Sequence, residues 1–236
     1  MILIESTNVT ACIPSCRGKD ALNTLLAVSN QRTKPIQILV YDNSIPSIKS
    51  DELCGWLCRY LGIDVIEGEI ERAFIARNYV VSLAKTRYVW LLDDDIVPWY
   101  NCLEEMINTF NIMEAELVEA TQHNIAEDWN KPQLYDKQRF GMRCSNILFD
   151  KLIWDKAIKN HVAGEGEDEE DEDGVYIAEQ LIFNNNRAYV SSKAISVRLK
   201  ERGYLSYRLN KEWICKNLTM LKGADIEFLL RNFFHE

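Results

Sequence analysis

The chain has 236 residues, 47% of them hydrophobic and 27% charged, with ten glycines and five prolines. That balance fits one globular domain with a small appendage, and it excludes disordered and collagen-like polymers. The net charge of −9 is local: eight acids fall within the nine residues Glu165 to Asp173, whereas Arg187 to the end carries ten Lys/Arg against five Asp/Glu.

Asn8-Val9-Thr10-Ala11-Cys12-Ile13 is a β-prone run halted by Pro14, hence a first strand. Leu22, Leu25, Leu26 and Ser29 recur at helical spacing behind Asp20 as a cap. Pro35 opens a second strand, Ile36 to Tyr41, which Asp42-Asn43-Ser44 ends as a turn. Leu53, Trp56, Leu57, Tyr60 and Leu61 mark a second helix that Gly62 stops, and Asp64-Val65-Ile66 is a third strand. Ala76, Val80, Leu83 and Ala84 form the buried face of a third helix. Arg87 to Leu92 is a strand apolar on both faces, hence central, and it runs straight into Asp93-Asp94-Asp95. Leu103, Met106, Ile107 and Phe110 predict an amphipathic helix. Further strands are expected at Glu116–Thr121, Cys144–Phe149 and Arg187–Ser191, and a terminal amphipathic helix at 224–234.

Strands alternate with helices over the first 115 residues, so the expected class is α/β, a mostly parallel central sheet flanked by helices. One domain is expected over 1–204, divided into 1–115 and an acceptor half at 116–204, with a helical extension over 205–236. No apolar run reaches the roughly 18 residues of a spanning helix. The N-terminus lacks the basic segment of a secretory leader, so a cytoplasmic protein is expected. The seven cysteines follow no disulfide rhythm, and with three histidines they do not suggest zinc; reduced, mostly buried thiols are expected.

The acidic run is the strongest chemical signal. Three carboxylates ending a buried strand repel one another unless a cation joins them. Alternation along a strand puts Asp93 and Asp95 on one side and Asp94 on the other, a pattern suited to Mg²⁺ or Mn²⁺ with room for a substrate phosphate. Pro14-Ser15-Cys16-Arg17 and Tyr41-Asp42-Asn43 end the first two strands, so parallel strands bring all three ends to one crevice. Asp42 is then placed for a base or ribose, Asp93 for ribose hydroxyls, and Arg77, beside Asn78, for phosphate.

These residues, in this order, resemble an inverting glycosyltransferase of the family 2 type on the glycosyltransferase-A fold. Ile13-Pro14-Ser15 with Arg17 is similar to the family's opening strand and loop. Gln31 to Ser44 resembles its second helix-to-strand passage, whose terminal Asp binds the nucleotide base. Ala76-Arg77-Asn78 resembles the element before the metal motif, and Leu92-Asp93-Asp94-Asp95 the Asp-x-Asp motif itself. The likeness runs from about residue 8 to about 195.

The resemblance implies transfer of a sugar from a nucleoside-diphosphate donor, UDP-linked, to an acceptor hydroxyl with inversion. Asp95 and Asp93 would hold Mn²⁺ or Mg²⁺. Pro14, Ser15, Arg17, Asp42, Asn43, Arg77, Asn78, Asp93 and Asp94 would bind the nucleotide-sugar. It also implies a general base in a Glu-Asp pair ahead of a helix. Spacing favours Asp173, the local letters Gly166-Glu167-Asp168 favour Asp168, and Asp171 stays open. Crowded like charges favour proton uptake by one of them. A His that many relatives use as a further metal ligand has no counterpart among Ser191–Gly203. The acceptor is a glycan or, given the basic region after Arg187, a hydroxymethylated nucleic-acid base. Two other readings compete: a haloacid dehalogenase-like phosphatase with Asp93 as nucleophile, and a non-catalytic relative that binds a nucleotide or a partner.

Overall fold

Strands that are apolar on both sides need cover on both sides, and the architecture follows from that demand. The computed structural model describes residues 8–69, 73–124, 145–162 and 187–198. In chain order the elements are β1 (Val9–Ser15), α1 (Leu22–Ser29), β2 (Gln37–Asp42), α2 (Glu52–Leu61), β3 (Asp64–Glu67), α3 (Ala73–Ser82), β4 (Tyr88–Leu92), β5 (Ile96–Pro98), α4 (Cys102–Ile112), β6 (Leu117–Asn124), β7 (Asn146–Asp150), α5 (Lys151–Val162) and β8 (Ala188–Arg198).

All eight strands form one sheet in the order β3-β2-β1-β4-β7-β6-β8-β5. The β3-β2-β1-β4 half is parallel, whereas β7 runs antiparallel to β4 and to β6. β8 then lies parallel to β6 and antiparallel to the short β5. The expected α/β class with a largely parallel sheet holds, and the antiparallel insertion is confined to the half after β4.

Alternation along β4 shows how the two faces are filled. Tyr88, Trp90 and Leu92 join the core under α1, α2 and α4, with Ile13 and Val40 beside them. Val89 and Leu91 join the opposite core, with Leu39, Phe149, Val80 of α3 and Trp154 of α5. Trp90 is fully buried and donates from Nε1 to Asn146 Oδ1 of β7 at 2.7 Å, which satisfies its one polar atom. Gln31, 1% exposed, stitches α1 to the start of α4: its amide donates to the carbonyls of Ala27 and Trp99, and its oxygen accepts from the Leu103 N–H. α2 begins on an Asp51 cap, which accepts from the Cys54 N–H at 2.9 Å, and closes at Gly62 with φ 68°, a left-handed position that suits glycine.

Some elements differ from the reading of the sequence. Pro14 does not halt β1, which continues to Ser15; Pro14 lies past the last pair with β4, Cys12↔Leu91, so only one ladder runs without its N–H. Asp20 is no helix cap, because a 3-10 turn, Gly18–Ala21, leads straight into α1 and neither start uses a side-chain cap. Val81, not Leu83, completes the buried face of α3; Leu83 follows the last residue of the helix and is 37% exposed. The short β5, the helix α5 and the length of β8 are additions that periodicity did not show. Residues 205–236, including the helix expected at 224–234, and the boundary at 204 lie outside the described residues. Among the described residues no helix is long and apolar enough to cross a membrane.

Candidate active site

The acidic run sits on a tight turn rather than on an extended strand. β4 ends at Leu92, and the Ile96 N–H donates to the Asp93 carbonyl at 3.2 Å, folding the chain back into β5. Alternation therefore does not set the directions of the three side chains; their partners do. Asp94 points to the loop after β1, accepting from Ser15 Oγ and from the Cys16 N–H, each at 3.0 Å, and pairing with Arg17 Nε at 3.1 Å. Its own carbonyl accepts from Thr24 Oγ1 of α1 at 2.9 Å, which anchors the turn from below.

Asp93 and Asp95 share one cation. Arg198, the last residue of β8, donates from Nη2 to Asp93 Oδ2 at 3.2 Å and from Nε to Asp95 Oδ2 at 3.0 Å. Arg17 Nη2 meets Asp95 Oδ2 at 2.9 Å, and Arg77 Nη2 of α3 meets Asp93 Oδ1 at 2.6 Å. Three guanidiniums thus face three carboxylates, and their formal charges cancel. Burial pushes the Asp94 carboxyl above its usual range, against the opposing pull of the Cys16 N–H, Arg17 and Ser15. Asp95 Oδ1 is buried and accepts no hydrogen bond from the described residues.

The two neighbouring strand ends behave differently. Ser15 pairs in register with Asp42, so β1 and β2 finish level with each other. Asp42, 1% exposed, turns both oxygens to its own loop: Oδ1 accepts from the N–H and hydroxyl of Ser44, and Oδ2 from the Ile48 N–H. Its carboxylate thereby shapes the 43–48 loop. The Asn43 N–H donates to the Ser15 carbonyl at 3.0 Å, tying that loop to β1. Gly18 (φ 56°) completes the junction, since a Cβ there would stand 2.9 Å from the Pro46 carbonyl oxygen.

Of the residues singled out in the sequence, Ser15, Arg17, Arg77, Asp93, Asp94 and Asp95 meet in one cluster. Pro14 lies beside it in β1. Asn78 turns away, accepting from Trp154 Nε1 of α5 at 3.2 Å. Asp168, Asp171 and Asp173 lie outside the described residues. Sequence reasoning missed Arg198. It stands within the stretch 191–203 searched for a histidine, and its link to the turn comes only through the pairing of β8 with β5, Ile96↔Arg198. Of the cysteines in the described residues, Cys12, Cys54, Cys58 and Cys102 are buried thiols and Cys16 is exposed. Burial pushes the Cys58 thiol up to about 11 and that of Cys102 to about 12.

Among the described residues no three His, Cys, Asp or Glu side chains form a ready metal cage. The two carboxylates that converge, with one buried oxygen of Asp95 to spare, nonetheless suit an ion of the Mg²⁺ or Mn²⁺ kind, which takes one or two protein carboxylates and completes its shell with phosphate and water.

The cluster thus lies beyond the carboxyl ends of parallel strands, where open α/β sheets bind their ligands. The sequence profile of Glycosyl transferase family 2 matches residues 10–158, from β1 into α5, and the chain belongs to that family. Membership displaces the phosphatase reading. No curated protein matches the sequence significantly. Three crystal structures of S. aureus TarS share the fold on its glycosyltransferase-A pattern. The first is 14% identical with a TM-score of 0.62, over 97% of this chain and 43% of that one. TarS 1-349 in complex with UDP is 15% identical with a TM-score of 0.59, over 98% and 73%. The same fragment in complex with UDP-GlcNAc is 14% identical with a TM-score of 0.56, over 98% and 74%. The chain thus spans less than half the length of the first.

Proposed function

We propose that this glycosyltransferase moves a sugar from a UDP-linked donor to an acceptor hydroxyl with inversion. The observation that carries the reading is the convergence of Arg17, Arg77 and Arg198 on the Asp93-Asp94-Asp95 turn, beyond the ends of β1 and β4, in a family 2 chain. The UDP and UDP-GlcNAc complexes of the fold neighbour support the choice of nucleotide.

In this reading Arg17 and Arg77 supply fixed positive charge for the donor diphosphate, a task suited to the planar guanidinium. Asp93 and Asp95 would hold a divalent ion, whose chemistry is to neutralise the charge that builds on a departing nucleotide. Asp94 keeps the β1 loop against the turn, so that Ser15 and the Cys16–Arg17 backbone stay in place. Asp42 and Asn43 hold the loop along which the base lies. Asp173, with Asp171 and Asp168 as the alternatives, takes the acceptor proton as the hydroxyl attacks the anomeric carbon from the face opposite the nucleotide. The acceptor hydroxyl belongs to a glycan or a hydroxymethylated nucleic-acid base; only the second requires binding that weakens steeply with salt.

The test is calorimetric titration of UDP, with GDP as control, with and without Mn²⁺. Metal-dependent UDP binding that disappears in Asp95→Asn supports the donor site, and absence of nucleotide binding under every condition overturns it. Asp173→Asn should then abolish transfer and keep UDP affinity within about twofold; parallel loss of both removes the base assignment.

A further inference from the structure

The cluster holds a third arginine whose position differs from those of the other two. Arg17, in the loop after β1, and Arg77 of α3 have side chains 18% and 15% exposed, whereas Arg198, at the end of β8, closes the turn at 28%. The antiparallel register Ile96↔Arg198 sets it one residue along from Asp95. Its guanidinium then spans the two carboxylates with two different nitrogens, Nη2 to Asp93 and Nε to Asp95. A planar fork bridging two carboxylate oxygens takes up the position that a cation shared between the same carboxylates would need.

The charges point the same way. Three arginines already balance the three aspartates, so a divalent ion added to the nucleotide-free cluster brings two uncompensated positive charges beside guanidiniums that cannot deprotonate. A nucleoside diphosphate arriving with the ion removes that excess. Arg198 is the most exposed of the three, on a long flexible stem, and releasing it frees Asp93 Oδ2 and one lone pair of Asp95 Oδ2. Asp95 Oδ1, buried and without a partner among the described residues, is the oxygen its fork does not use.

We propose that Arg198 is a tethered counter-ion for Asp93 and Asp95 that competes with the divalent cation, so that metal binds together with the nucleotide rather than ahead of it. The proposal rests on the donor-site reading above, and its test separates the two. Mn²⁺ binding to the full chain is measured by electron paramagnetic resonance without nucleotide, for the native protein, Arg198→Gln and Arg198→Lys, beside thermal melting with and without Mn²⁺. Removing the fork should tighten nucleotide-free Mn²⁺ binding about tenfold in Arg198→Gln. Arg198→Lys, which keeps the charge but cannot bridge both carboxylates, should tighten it about threefold. Arg198→Gln should melt lower than the native protein in chelator and recover most of the difference in Mn²⁺. Unchanged or weaker Mn²⁺ binding in both variants, or in Arg198→Lys alone where Arg198→Gln does not fold, overturns the proposal. UDP titration of the same proteins then tells the readings apart. Intact UDP binding with unmoved Mn²⁺ affinity overturns the counter-ion and leaves the donor site standing, whereas tighter Mn²⁺ binding without UDP binding supports the competition and overturns the donor site.

Discussion

Arg17→Met tests whether the acidic turn is held by charge compensation from the β1 loop. Methionine keeps much of the aliphatic stem and removes both ion pairs, Nε to Asp94 at 3.1 Å and Nη2 to Asp95 at 2.9 Å. The aspartates are 10% and 6% exposed, so the charges left behind are poorly hydrated. Removing one partner of a buried pair costs about 3–5 kcal/mol. Two features place this case at the lower end. Arg17 is itself 18% exposed, and each aspartate keeps other donors, Ser15 Oγ and the Cys16 N–H on Asp94 and Arg198 on Asp95. The expected loss is about 3 kcal/mol, a fall of roughly 1 M in the urea midpoint for a slope near 3 kcal/mol/M. Ser15→Ala, which deletes one neutral donor to the same carboxylate, should cost only about 1–2 kcal/mol. Equilibrium urea unfolding followed by tryptophan fluorescence reads both. A loss below about 1 kcal/mol in Arg17→Met, or equal losses in the two variants, would refute the charge argument.

Three further outcomes follow from the same geometry. Because burial raises the Asp94 carboxyl above its unfolded value, its ionisation opposes folding. The native protein should therefore gain stability relative to Asp94→Asn as pH falls from 7 toward the ordinary carboxylate range, and lose it as pH rises through the raised value, read by urea unfolding across pH. A difference that shrinks on acidification contradicts this. Trp90→Phe removes the Nε1 donor from Asn146 and leaves space in a fully buried position, and should cost about 2–3 kcal/mol in the same assay. Cys16, exposed beside the Asp94 turn, should contribute a fast-reacting equivalent to a thiol reagent that Cys16→Ser lacks and saturating UDP slows, whereas buried Cys12 and Cys102 stay unreactive until unfolding. A Cys16 rate indifferent to UDP would separate the thiol from the donor site.

Local regularities made much of this protein legible before any coordinates. The doubly apolar run from Arg87 to Leu92 marks a strand covered on both faces, and the structure buries every residue of β4. The Leu103–Phe110 repeat, the Gly62 stop and the succession of the first four strands along the chain depend on local pattern and turn chemistry, which the sequence records directly. The candidate site was legible to the same depth. Arg17 and the three aspartates follow the ends of parallel strands, which chain order sends to one crevice, and Arg77 comes from α3, the helix that leads into β4.

What the chain order could not reveal is how the aspartates divide among their partners. Asp93 and Asp95 come together because the turn at Ile96 folds them back and because Arg198 reaches both across 105 and 103 residues of chain. That reach depends on β8 lying between β6 and β5, and on a register shift that leaves Ser192–Ala194 outside the β6 ladder, with Ser191 Oγ accepting from Thr109 Oγ1 and from the Ala194 N–H. Asp42 ends β2 beside the same crevice, and only the fold of the 43–48 loop shows that its carboxylate also holds that loop. Sequence settles which residues are apolar, where strands end and which charges lie near those ends, because these are local properties of the chain. Which cation neutralises which carboxylate is decided by strand order and register, because that choice depends on distances of about 3 Å between segments that only the assembled sheet brings together.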